Sequence, residues 1–110
     1  AEAQRSLIIR AVRVSGHVGV MSDEMGVYAL DAAHSKRGKN VYSLEGKSGV
    51  HLYQATDGIW YIAPTEQMLA GKADGWIAST TASPSPLGLA WKADDGTTWQ
   101  LDPRLMVTET

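Results

Sequence analysis

The side chains best suited to metal binding or acid–base chemistry in this sequence are three histidines, His17, His34 and His51. They follow one another at intervals of seventeen residues, so none has the i, i+2 or i, i+4 partner that preorganises a pair of metal ligands. Cysteine is absent, which removes thiolate ligands, disulfides and a thiol nucleophile. We therefore expect no metal site, although folding could still bring the segments that carry the histidines together.

The twelve acidic residues offer carboxylate pairs for general acid–base catalysis, which needs two such groups across a cleft. The most conspicuous acids have simpler roles as turn formers or as neighbours of glycine and proline: Asp23, Glu24, Asp57, Asp94, Asp95 and Asp102. No Gly-Lys pair is preceded by the glycine of a Walker loop, and no G-x-S-x-G motif is present. The sequence predicts neither a catalytic residue nor a bound cofactor.

Aromatic side chains are the strongest candidates for a binding surface. Tyr42, Tyr53, Tyr61 and Trp76 have flat faces of the kind that contact a sugar ring, a peptide or a protein surface. Packing in the core is the alternative for each, because the chain has four tryptophans and four tyrosines but no phenylalanine. Adjacent strand residues point to opposite faces, so we expect Trp60 in the main core and Tyr61 on the second face, partly exposed.

A short basic cluster, Lys36, Arg37 and Lys39, is a second candidate for binding, to phosphate or to an acidic partner; a solvated loop is the alternative. Ten basic residues against twelve acidic ones leave a net charge of −2. General binding of nucleic acid needs positive charge to neutralise phosphates, so the sequence predicts no nucleic-acid partner. No apolar run approaches the roughly 18 residues that cross a bilayer, so it predicts no membrane partner.

The elements that must position these side chains are short. The 110 residues, 44% of them hydrophobic, suffice for a single domain over 1–110 with one core. Eleven glycines and four prolines divide the chain into short apolar runs of the length of strands. The predicted strands are 6–14 (with a helix as the alternative), 27–30, 41–44, 50–55, 59–63, 75–80, 89–93, 97–101 and 105–108, and the best helix is 65–70.

Two of the connections have the chemistry of hairpin turns. Asp-Gly lies between apolar runs in 56–58 and again in 94–96. This pattern is typical of type I′ turns, which need the positive φ that glycine adopts. The two segments resemble each other, either as an internal duplication or as two independent solutions to one turn.

These elements predict a mainly β fold: a small antiparallel sandwich or partly closed barrel of about seven to nine short strands, with at most one or two short helical turns. The N-terminal strand, Leu7 to Val14, is apolar on much of both faces. We expect it at a sheet edge, where unpaired backbone groups favour a homo-oligomer and where Arg10 and Arg13 would limit aggregation.

An ordered series of aromatic and turn residues resembles small β modules found in long, mostly uncharacterised proteins of single-celled algae and protists. Those modules read G-x-Y, G-[KR]-x-x-Y, L-Y, W-x-I and a late W. The matching segments here are Gly26-Val27-Tyr28, Gly38-Lys39-Asn40-Val41-Tyr42, Leu52-Tyr53, Asp57-Gly58-Ile59-Trp60-Tyr61-Ile62 and Trp91 before Asp95-Gly96. The resemblance covers roughly residues 26 to 100. It implies a non-catalytic module and carries no ligand or functional residue with it.

The sequence therefore predicts a soluble, non-catalytic β module that acts by binding a protein, peptide or glycan, or by assembly. A small enzyme with a site built from scattered histidine and carboxylate residues is the alternative, and a purely structural spacer is a third reading. A deep cleft with a histidine and a carboxylate in contact would favour the enzyme. Clustered, exposed aromatic side chains would favour binding.

Overall fold

A computed structural model of the chain describes residues 9–16, 22–35, 40–94 and 98–110. Its strands are β1 Ala11–Ser15, β2 Gly26–Leu30, β3 Val41–Leu44, β4 Val50–Gln54, β5 Trp60–Pro64, β6 Ile77–Ser79, β7 Trp91–Asp94, β8 Trp99–Asp102 and β9 Met106–Glu109, and its helix, α1, is Thr65–Ala70. A single 3-10 turn, Ser22–Glu24, precedes β2. The predicted mainly β, antiparallel fold class is confirmed. No helix in these ranges has the length and apolarity needed to cross a membrane.

The strands form one antiparallel sheet in the order β8-β7-β6-β5-β4-β3-β2-β1-β9. From β1 to β8 the chain is a meander, because each strand pairs with the next one in sequence. Strand β9 then pairs with β1, and only residues 103–105 separate it from β8. The last segment of the chain therefore links the two ends of the meander, and the sheet curls into a half-barrel.

The N-terminal strand is not an edge strand. Residues 11–15 pair with β2 on one side and with β9 on the other, so the prediction of an edge at Leu7 to Val14 is wrong for the part that the structure describes; Leu7 and Ile8 lie outside it. The sheet ends instead at β8 and β9. Three large apolar side chains of these strands are exposed: Trp99, Leu101 and Met106.

Most of the core lies on the inner face of the curled sheet. Its buried members are Val12, Val14, Tyr28, Tyr42, Leu44, Val50, Leu52, Trp60, Ile62, Ile77, Trp91, Ala93, Leu105 and Val107. The two tryptophans differ in their polar atoms. The indole N–H of Trp60 donates to the Ser83 carbonyl at 2.8 Å, whereas that of Trp91 has no partner among the described residues. Trp91 therefore carries a rare orphan donor in the core.

A second, smaller cluster lies on the opposite face of β3–β6, which we call the outer face. This outer cluster comprises Val41, Tyr53, Ala55, Tyr61, Ala63, Met68 and Ala78. Helix α1 covers part of it through Met68, the buried residue of the helix. The helix ends at Gly71 in the left-handed conformation (φ 65°), where the Gly71 and Lys72 amides donate to carbonyls of the last turn.

The β4–β5 hairpin forms at the predicted Asp-Gly, but with a three-residue loop. The Gly58 amide donates to the Ala55 carbonyl, and the Ala55 amide donates to the Ile59 carbonyl, which is the pattern of a loop that places glycine at a left-handed position. Gly58 has φ 84°, and a Cβ on it would lie 2.9 Å from Ala82 Cβ. Gly46 also has φ 84° but faces open space. Of these two glycines, only Gly58 therefore adds steric contact to backbone strain.

The second predicted hairpin is also present as a strand pair, since β7 and β8 are antiparallel neighbours from Trp91↔Asp102 to Asp94↔Trp99. Its turn, including Asp95 and Gly96, lies outside the described residues. The predicted strands at 27–30, 41–44, 50–55, 59–63, 75–80, 89–93, 97–101 and 105–108 are each found within about two residues of their bounds.

Candidate functional site

The four predicted binding aromatics do not share a surface. Tyr42 is 1% exposed on the inner face, and half-buried Trp76 packs against the same core. Tyr53 and Tyr61 lie in the outer cluster on the opposite face. The alternation of side chains along a strand separates the two sets, so a single aromatic platform is excluded.

Trp60 lies in the main core as predicted, but the expected partial exposure of Tyr61 is wrong. Tyr61 is 8% exposed because it is the direct cross-strand neighbour of Tyr53 and both side chains pack within the outer cluster. Their hydroxyls are held by the protein: Tyr61 donates to Asp57 Oδ2 at 3.2 Å, and Tyr53 bonds the Lys72 and Asp74 carbonyls at 2.8 and 3.1 Å. Burial raises the pKa of both phenols, so they remain neutral donors.

The basic cluster Lys36, Arg37 and Lys39 and the first histidine, His17, lie outside the described residues. The other two histidines meet: the rings of His34 and His51 are 5.6 Å apart at their centroids in an edge-to-face arrangement. The described residues contain no group of three or more side chains able to hold a metal ion.

These histidines belong to a chain of side-chain hydrogen bonds on the outer face. Asp31 Oδ2 lies 2.7 Å from His34 Nδ1 and 2.7 Å from Ser43 Oγ. Ser43 and His51 are cross-strand neighbours, with Oγ 2.8 Å from Nδ1, and His51 Nε2 lies 2.8 Å from Thr65 Oγ1. This series of hydrogen bonds therefore connects the loop after β2 with β3, β4 and the first residue of α1.

The positions of the protons in this series of hydrogen bonds follow from how many hydrogen bonds each side chain can donate and accept. Hydrogen bonds from His34 and Ser43 lower the pKa of Asp31 to about 2, so its carboxylate only accepts and the single hydroxyl proton of Ser43 is directed to it. Ser43 Oγ must then accept from His51 Nδ1–H, and neutral His51 accepts the Thr65 hydroxyl at Nε2. His51 is 5% exposed, and burial, followed by the nearby His34, lowers its pKa.

This arrangement does not activate Ser43. A serine nucleophile gives its proton to a histidine that acts as a base, whereas the Ser43 proton points to Asp31 and His51 is itself a donor to Ser43. The hydrogen-bond chain is therefore suited to holding α1 and the 31–35 turn on the sheet. The Asp31 carboxylate also accepts from the Ala33 and His34 amides, as an Asx turn does.

A cavity of about 230 Å³ lies beside this network, between α1, the start of β3 and the end of β4. We call it the helix cavity. Buried Val41, Tyr53 and Met68 contribute apolar walls, and the remaining lining residues are His34, Asn40, Gln54, Thr56, Leu69, Ala70 and Gly71. Its volume is below the 300–1,000 Å³ typical of sites for drug-sized molecules. It is suited to a single side chain or a fragment of that size.

A second cavity, of about 180 Å³, lies at the same end of the sheet on the inner face. We call it the proline cavity. Its walls are Ile9, Tyr42, Trp60, Pro84, Ser85 and Pro86, together with Asn40 and Gln54. Because Asn40 and Gln54 also line the helix cavity, the two cavities adjoin around the ends of β3 and β4.

Gln54 is fixed at this junction. Its side-chain amide nitrogen donates to the Gly58 carbonyl at 3.0 Å and to the Ser83 carbonyl at 2.7 Å. Both amide protons are thereby used, and the side-chain oxygen has no donor among the described residues. Gln54 therefore lines both cavities and keeps one side-chain oxygen available as an acceptor.

The residues that build this site carry only a weak signal in the sequence. Asp31 three residues before His34 is typical of an Asx turn, so that contact could have been inferred. The Ser43–His51 contact depends on the β3–β4 register, which the sequence does not define to one residue. Asn40 and Gln54 are single amides at strand ends and have no sequence pattern that marks them.

Searches against models of known protein families, against curated proteins and against solved structures each returned no match. The resemblance to aromatic-rich modules of algae and protists therefore stays a prediction.

Proposed function

We propose that this chain is a non-catalytic binding module, and that its helix cavity receives one apolar side chain of a protein or peptide partner. The observation that supports this most directly is a side-chain-sized cavity with apolar walls at the edge of the outer cluster. Such a cavity provides the buried anchor position around which peptide and protein interfaces are organised.

A glycan is less well supported than a peptide. Sugar rings bind on exposed aromatic faces, and Tyr42, Tyr53 and Tyr61 are buried. The lining of the helix cavity also contains no lysine, arginine, aspartate or glutamate among the described residues, so it favours an uncharged side chain over a phosphate or a carboxylate. Leucine, methionine and phenylalanine are the expected anchors.

The proposal is tested with two tryptophan substitutions on α1. Ala70 is exposed and lines the cavity, whereas Glu66 is exposed on the same helix outside it. Peptides selected from a displayed library of random linear dodecapeptides should bind the wild type and Glu66→Trp alike, and should bind Ala70→Trp about tenfold more weakly or worse. Failure to select peptides, or equal binding to Ala70→Trp, would refute the proposal.

One observation favours the alternative of an enzyme: His34 lines the helix cavity with its Nδ1 held by Asp31, as in a general base oriented by a carboxylate. Hydrolysis of small activated esters tests it. The binding proposal predicts that His34→Gln leaves the slow background rate unchanged. A rate above that of free imidazole that disappears in His34→Gln would establish the catalytic alternative.

A further inference from the structure

We propose that the helix cavity and the proline cavity are two halves of one peptide site, in which two apolar side chains of an extended segment occupy the cavities and the backbone N–H between them donates to Gln54 Oε1. This inference rests on the proposed function of the helix cavity and adds the class of ligand: a linear, uncharged peptide segment with two apolar anchors.

The first support is that the cavities adjoin. Asn40 and Gln54 line both of them, so the two cavities share these residues as a common wall. A ligand that enters one cavity therefore reaches the mouth of the other within a short length of chain. Successive side chains of an extended peptide point in opposite directions, which suits two cavities on opposite faces of a sheet.

The second support is hydrogen-bonding capacity at the junction. Gln54 donates both amide protons to the Gly58 and Ser83 carbonyls. Only its side-chain oxygen is left for a ligand, and this oxygen can bind only a hydrogen-bond donor. The backbone N–H of a peptide is a donor present beside every side chain except that of proline. An acceptor on a residue that lines both cavities therefore matches one peptide group between two uncharged side chains.

The third support is the rigidity of the wall formed by residues 83–86. The Ser83 carbonyl accepts from both Gln54 and the indole of Trp60, and Pro84 and Pro86 fix the backbone on either side of Ser85. Little conformational entropy would be lost on binding at such a wall.

Charge complementarity favours this ligand. Among the described residues, neither cavity is lined by lysine, arginine, aspartate or glutamate. The His34 ring is hydrogen-bonded to Asp31 at 2.7 Å. An anionic or strongly cationic segment would find no oppositely charged side chain among the described lining residues, and desolvation of an unpaired charge is unfavourable. Uncharged apolar side chains carry no such cost.

The test uses peptides selected from the dodecapeptide library on the wild-type chain. Pro84 is exposed and lines the proline cavity, whereas Thr81 is exposed outside both cavities. Pro84→Trp should weaken binding about tenfold or more, and Thr81→Trp should not. Selected peptides should carry two apolar positions, each of which loses about tenfold when replaced by alanine.

The role of Gln54 is tested in the ligand, because changing Gln54 would also release the 83–86 wall. Methylation of the peptide nitrogen between the two anchors should weaken binding about tenfold, and methylation at a terminal residue should not. Peptides sensitive to Ala70→Trp but not to Pro84→Trp would overturn the two-cavity site and leave the proposed function standing. Peptides insensitive to both would overturn both proposals, and insensitivity to the central methyl group would remove Gln54 as the acceptor.

Discussion

Replacement of Ser43 by alanine tests the hydrogen-bond chain that holds α1 and the 31–35 turn on the outer face. The substitution deletes one oxygen that donates to Asp31 at 2.7 Å and accepts from His51 at 2.8 Å. His51 is 5% exposed, so its Nδ1–H loses its partner in a place that water reaches poorly. Asp31 keeps its bond to His34.

The expected change in the free energy of unfolding follows from the loss of these two hydrogen bonds. A hydrogen bond to a charged group contributes ~1.5–3 kcal/mol, and a buried donor left without a partner costs ~1–3 kcal/mol. Because Asp31 is partly exposed, water replaces some of the first contribution. We expect Ser43→Ala to lower the free energy of unfolding by about 2–4 kcal/mol, a large part of the roughly 5–15 kcal/mol typical of a small domain.

Urea unfolding followed by tryptophan fluorescence measures this loss. The matched control is Ser48→Ala, because Ser48 is exposed in the turn between β3 and β4 and should change stability by less than about 0.5 kcal/mol. A Ser43→Ala variant as stable as Ser48→Ala would show that the hydrogen-bond chain does not hold the outer face together.

Acid unfolding gives a second readout of the same variant. The pKa of Asp31 is lowered from 3.8 to about 2 in the folded protein, by the His34 hydrogen bond first and the Ser43 hydrogen bond second. Its contribution to stability is therefore present above about pH 4 and is lost as the pH falls towards 2. Removal of Ser43 should raise the pKa of Asp31. The variant should therefore lose less stability than the wild type between about pH 4 and pH 2.

Three further predictions concern the stability of variants in a loop, in the core and at the buried histidine. Gly58→Ala should destabilise more than Gly46→Ala, by about 1 kcal/mol or more, because both have the same φ and only Gly58 adds a close contact; equal melting temperatures would contradict this. Trp60→Phe should lose about 1 kcal/mol more than Trp91→Phe, because only Trp60 gives up a hydrogen bond; the reverse order in urea would contradict it. The pKa of His51 is lowered by burial, so stability should fall as the pH drops below about 6.5, and His51→Gln should flatten that decline.

Much of the fold was visible in the sequence because its signals are local. Strands of four or five residues alternate with glycine and Asp-Gly turns, and α1 ends at Gly71 as helices commonly do. The return of β9 to β1 was not visible, because that pairing joins residues more than ninety positions apart in the chain. It depends on the curl of the whole sheet rather than on any nearby residue. For that reason the edge was predicted at the wrong strand.

The site was less predictable than the fold. Tyr53 and Tyr61 were predicted as candidate binding residues, with packing in the core as the alternative. Their burial depends on α1 lying over the outer face, which is a tertiary contact. Asn40 and Gln54 are recognised as candidate site residues only because the folded chain places both of them in the lining of two cavities. Single polar residues at strand ends are common in any β protein, so spacing alone does not distinguish them.

Methyl NMR of the methionines tests the binding proposal most directly. Met68 lines the helix cavity and is buried, whereas Met106 lies on β9 and is 52% exposed. With methyl-labelled methionine and a peptide selected from the library, the proposal predicts that the Met68 signal shifts and shows contacts to the peptide's apolar side chain, while the Met106 signal stays in place. Movement of Met106 with an unchanged Met68 would locate the ligand on the last strands and contradict the proposed site.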